Sequence, residues 1–139
     1  LLDDWNSGVR SSAIIALVRL RDVVEPETIE KITALLDDRN SGVRSLAVEA
    51  LVRLRDVVEP ETIEKITALL GDWNSDVRRS AVEALGELKA VIKPETIEKI
   101  AVLLNDKERD IQDSALSILS RCYESGILNK FQYEGWINS

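Results

Sequence analysis

The pattern Leu-Leu-x-Asp opens at Leu1, Leu35, Leu69 and Leu103, a constant step of 34 residues. Residues 1–34 match 35–68 at 30 of 34 positions and differ only at Trp5/Arg39, Ser12/Leu46, Ile14/Val48 and Ile15/Glu49. The third copy, 69–102, keeps 21 of the 34. A fixed period in this range means that one supersecondary unit, unable to bury its own apolar face, stacks on copies of itself. The chain therefore reads as a single repeat domain over 1–139, with units 1–34, 35–68, 69–102 and 103–139, the last including a C-terminal cap.

Each unit contains two helices. Pro60 suits a first helical position, where its missing N–H costs nothing, and Glu61 complements the positive helix end. Ile63, Ile66, Thr67 and Leu70 follow at helical spacing and form one buried stripe. The helix stops near Gly71, and Asn74 supplies the N-cap of a second, longer helix, as Asn6 and Asn40 do in the earlier copies. In the second copy the long helix carries Val43, Ala47, Ala50, Leu51 and Leu54, again at helical spacing, and its small alanines permit close helix approach. The unit is an αα-hairpin.

A period of 34 residues raises the tetratricopeptide pattern, but its Trp-x2-Leu-Gly-x2-Tyr signature is absent, and so is the ankyrin Thr-Pro-Leu-His pattern. Leu-Leu, Asp38, a turn, Val43-Arg44, Ala47 and Ala50-Leu51 resemble instead the short HEAT-like repeat of phycobilisome-lyase-type proteins. That resemblance implies an all-α, right-handed α-solenoid of about 3.5 to 4 repeats. It also implies a structural ladder of hydrogen bonds between successive repeats, carried by the turn aspartate and the arginine six residues later: Asp4/Arg10, Asp38/Arg44 and Asp72/Arg78. The fourth unit keeps Asp106 but has Gln112 for arginine, as a terminal unit would. Gly126 is placed to end the last long helix, and Phe131, Tyr133 and Trp136 to form a lid over the end of the stack.

With 25 acidic and 18 basic residues the net charge is −7, which removes the electrostatic attraction that dominates binding to nucleic acids and anionic membranes. Neither partner is expected. Cys122 is the single cysteine, so no intramolecular disulfide forms, and the thiol reads as a small core residue. No apolar run is long enough to span a bilayer and no leader precedes the first repeat, so a cytoplasmic protein is expected. The missing initiating Met and the start in mid-repeat read as a fragment or trimmed product.

No histidine occurs, which takes away the commonest general base and most mixed metal sites. Asp4, Asp38 and Asp72 recur with the fold and read as fold residues rather than catalysts. No catalytic residue, metal or cofactor is therefore expected. The variation lies on the long helix. Advancing 100° per residue from Val43 gathers Ser45, Leu46, Glu49 and Arg53 on a different face, which lines the concave binding surface of the resembled family. The same face holds Ser12, Ile15 and Arg19 in the first copy, Arg79, Glu83 and Glu87 in the third, and Asp113 and Ser117 in the fourth.

Two of the four differences between the first copies fall on this face, the pattern that a varied recognition surface on a constant scaffold leaves. The expected function is a non-enzymatic scaffold that binds a protein or peptide there. The alternatives are a bilin lyase or other ligand-handling HEAT-like enzyme, and an engineered or duplicated array with no dedicated partner. Ile14, Ile15 and Val18 also enrich the first long helix in apolar surface, and self-association through the uncapped amino end is expected to cover it.

Overall fold

The computed structural model describes residues 1–20, 25–88 and 93–138; the side chains of Val57, Lys130 and Phe131 fall outside that description. Among the described residues every regular element is helical: α1 (Ser7–Arg19), α2 (Pro26–Ala34), α3 (Ser41–Arg53), α4 (Pro60–Ala68), α5 (Ser75–Leu88), α6 (Pro94–Val102), α7 (Arg109–Glu124) and α8 (Lys130–Ile137). The chain is an all-α array of helical hairpins of the α-solenoid class, and it divides into two compact units, Leu1–Ala90 and Val91–Ser139.

In the first unit the long helices lie side by side, α1 against α3 and α3 against α5, while α2 packs on α3 and α4 on α5. Local sequence explains where each helix begins and ends. Pro26 and Pro60 occupy first helical positions. At the other end, the Leu-Leu dipeptides tighten into 3-10 turns, Leu35–Asp37 and Leu69–Gly71, which bury both leucines. Asn6 Oδ1 accepts from the Gly8 and Val9 N–H groups, Asn40 Oδ1 from Val43, and Asn74 Oδ1 from Asp76 and Val77, so three long helices start on the same asparagine cap. Val43, Ala47, Leu51, Val77 and Ala81 are fully buried between the layers.

The second unit packs α7 between α6 and α8. Its core holds Ile97, Ile100, Leu103, Ile111, Ala115, Leu119, Cys122 and Leu128. Gly126, at φ 81°, ends α7 in the left-handed conformation that glycine adopts without a Cβ penalty. Its N–H donates to the Tyr123 carbonyl and the Ile127 N–H to that of Cys122, the paired bonds of a Schellman cap. On α8, Tyr133 stacks on Tyr123 of α7 with ring centroids 4.8 Å apart, and its hydroxyl lies 3.0 Å from Ser120 Oγ. Trp136 is half-buried, and the Phe131 side chain expected in the same lid lies outside the described residues.

Candidate functional site

Where α1 and α3 run side by side they leave a cleft of about 190 Å³. α1 lines it with Ile14, Ile15, Val18 and Arg19, and α3 with Leu46, Glu49, Ala50 and Arg53. The floor is apolar because Ile14 and Ala50 are buried, whereas Ile15 remains 46% exposed at the rim. Arg19 and Arg53 are the last residues of their helices, where a cation complements the helix dipole. Their aliphatic stems can cover apolar surface while the guanidinium groups stay in water. Of the four positions that distinguish the first two copies, three contribute a lining residue to this cleft: Leu46, Ile14, and the pair Ile15 and Glu49.

A second cleft, of about 230 Å³, lies between α3 and α5 and is lined by Glu49, Val52, Arg53, Ser80, Glu83, Ala84 and Glu87. Glu49 and Arg53 belong to both clefts, so the two form one continuous strip. The remaining face residues sit differently. Ser12 is exposed, and Arg79 is half-buried with its Nη1 donating to Asp76 Oδ1 within α5. Asp113 and Ser117 are exposed on α7, in the second unit. Ser45 is half-buried, like Leu46 beside it, but its Oγ is turned inward and has no hydrogen-bond partner.

The turns between hairpins carry a different constellation. Arg10 Nε and Nη2 donate to the two carboxylate oxygens of Asp38, each at 2.8 Å, while Nη1 donates to the Asp4 backbone carbonyl at 2.7 Å. Arg44 repeats the arrangement with Asp72 and the Asp38 carbonyl. Each arginine thus bonds backward to the carbonyl of its own repeat's aspartate and forward to the carboxylate of the next. Both bidentate pairs are buried. Arg78 donates to the carbonyls of Asp72 and Trp73, and Gln112 keeps the backward bond, to the Asp106 carbonyl.

Burial alone would raise the Asp38 pKa. The Arg10 hydrogen bonds, the Asn40 N–H and the charges of Arg10 and Arg39 outweigh it and hold the carboxyl below its ordinary value. Buried within α7, the Cys122 thiol has its pKa raised by desolvation, against a smaller lowering by Arg121. Among the described residues no three histidine, cysteine or acidic side chains converge as a metal site requires. No described helix is long and apolar enough to cross a membrane.

One feature gave no sequence signal. A cleft of about 530 Å³ opens on the short-helix side, lined by Pro26, Ile29, Glu30 and Thr33 of α2 with Glu59, Glu61, Thr62 and Lys65 at α4. Most of its lining comes from the Pro-Glu-Thr-Ile-Glu-Lys stretch that the first three copies share, and all of it is identical between the first two, so the differences between those copies could not reveal it.

The profile for HEAT repeats matches residues 1–86, and that for the PBS lyase HEAT-like repeat matches residues 77–106. No curated protein matches the chain. Among solved structures, the crystal structure of an engineered protein from the Northeast Structural Genomics Consortium is similar, with a TM-score of 0.71 at 22% identity. The match covers 86% of this chain and 58% of that one, and at this identity it shows the fold alone.

Proposed function

The chain belongs to the HEAT repeat family, and from that premise we propose that it is a non-enzymatic scaffold binding a protein or peptide on the face of its long helices. The observation that carries this reading is the placement of the divergent residues. Two copies identical at 30 of 34 positions have three of their four differences in the lining of one cleft, and these supply three of its five apolar side chains, Ile14, Ile15 and Leu46. A stack of rigid hairpins offers this surface already ordered, so little conformational entropy is lost there on binding. Ile15 and Leu46 act as apolar anchors, flanked by Arg19 and Arg53, because binding energy concentrates in a few such contacts. The larger cleft on the short-helix side is lined by residues copied with the fold, which favours a scaffold role for them.

The test replaces Ile15, Leu46 and Arg53 together by serine, confirms folding by circular dichroism, and compares affinity capture of partners with that of the unaltered chain. Loss of partners is expected. Retention of every partner at full strength, with loss of one when Glu61 and Lys65 are replaced instead, would assign binding to the short-helix side.

A further inference from the structure

Resting on the reading above, we infer that the strip across α1, α3 and α5 takes a peptide segment of fixed charge order, an acidic residue beside a bulky apolar anchor followed by basic residues. The two clefts differ in chemistry. The first has an apolar floor and sets the guanidinium groups of Arg19 and Arg53 against the single carboxylate of Glu49. The second brings the carboxylates of Glu49 and Glu87 to the same Arg53.

Among the described residues no ion pair engages Arg19, Arg53, Glu49 or Glu87, so these charges face a partner. A cleft of about 190 Å³ is of the size that admits one large apolar group, since an apolar cavity of roughly 150 Å³ holds benzene. It takes a single anchor such as leucine, and a carboxylate next to that anchor meets Arg19 and Arg53.

Packed helices lie about 8–10 Å apart, and the two clefts are offset by one such spacing. An extended chain rises about 3.3 Å per residue and crosses that offset in roughly three residues. The basic side chains therefore belong about three positions beyond the anchor, over Glu87. The opposite order would place like charges against each other at both clefts, which sets which end of a given segment lies over which cleft.

The experiment titrates isotope-labelled protein with acetyl-Asp-Leu-Ser-Gly-Lys-Lys-amide, and separately with the charge-reversed acetyl-Lys-Leu-Ser-Gly-Asp-Asp-amide, following backbone chemical shifts. The first peptide is expected to move the signals of Ile15, Leu46, Arg53 and Glu87 and to bind about tenfold more tightly than the second. The preference should shrink at 0.5 M salt, where the Debye length falls to a few Å. It should also shrink in Glu87→Lys, a change at an exposed position.

Equal binding of both peptides at these residues overturns the charge order and leaves the face reading intact, as does failure of both when the triple-serine variant still loses its captured partners. Shifts confined to α2 and α4 overturn the charge order and the face reading together.

Discussion

The helices α1 and α3 share ten of their thirteen residues and differ sharply in what they bury. Val43, Ala50 and Leu51 of α3 are buried, whereas the identical Val9 and Leu17 of α1 are half-buried and Ala16 is exposed. At the ends of the two helices Leu54 is 5% exposed and Leu20 57%. The cause is the set of neighbours. α3 packs against α1, α2, α5 and the turn Leu35–Asp37, while α1 packs against α3, with buried Leu2 belonging to the turn that precedes it. In a stacked array the energetic role of a side chain is set by the copy on either side of it, and the same residue can be core in one repeat and surface in another.

The largest effect expected from this comparison concerns the arginines. Arg44→Ala strands the buried Asp72 carboxylate and should lower stability by about 3–5 kcal/mol in urea unfolding. The Arg10–Asp38 pair is equally buried, but Arg10 sits on the less covered helix. Arg10→Ala should therefore release α1 locally, read as faster hydrogen exchange across Ser7–Arg19, with a smaller shift of the global midpoint. Equal global losses would join α1 and α3 in one cooperative unit. A loss below about 1 kcal/mol for Arg44→Ala would remove the ladder from the energetics of the fold.

The next comparison uses one substitution at equivalent sites. Leu51→Ala opens a cavity at a fully buried position and should cost about 2–5 kcal/mol. Leu17→Ala removes a side chain already half in water, so its transfer and cavity terms are both smaller, and a loss under about 1.5 kcal/mol is expected. Matching losses in the same denaturation series would mean that neighbours do not set the difference.

Acid sharpens the comparison from another side. The folded-state pKa of Asp38 lies below its ordinary value of 3.8, so this carboxylate contributes stability at higher pH. The contribution is lost as pH falls below 3.8 and through the folded value, because the unfolded chain takes up the proton first. In Asp38→Asn the acid limb of a stability profile should be shallower than in the unaltered chain. An unchanged limb would show that Asp38 does not drive acid unfolding.

Much of the fold was legible because its signals are local. The 34-residue step, the prolines at first helical positions, the asparagine caps and Gly126 each act within a few residues of themselves. What lay beyond the sequence depends on stacking. That Arg10 reaches the carboxylate of Asp38, 28 residues on, and only the backbone carbonyl of Asp4 follows from how one hairpin sits on the next. Helical projection placed Ser45 beside Leu46, but packing turned its Oγ inward. The large cleft between α2 and α4 was hidden because its lining does not vary between the first two copies.

The smallest expected effect comes from the one turn position that separates the first two copies outside the cleft. In the third copy this position is Trp73, and the Arg44 guanidinium carbon lies 5.8 Å from its ring centroid, within reach of a cation–π interaction. In the second copy the same position is Arg39, whose Nη2 donates to the Trp5 carbonyl at 3.1 Å. One ladder pair is therefore flanked by an aromatic ring and the other by a second guanidinium. Trp73 is 77% exposed, so water competes for Arg44 and the ring should contribute only about 0.5–1 kcal/mol. Trp73→Arg, which gives the third turn the chemistry of the second, should cost about that much in urea unfolding. A double-mutant cycle with Arg44→Lys separates this contact from burial of the tryptophan, since lysine keeps the charge but loses the planar stacking surface. Additive losses in that cycle would show that Trp73 does not act through Arg44, and that the two ladder steps differ in sequence without differing in strength.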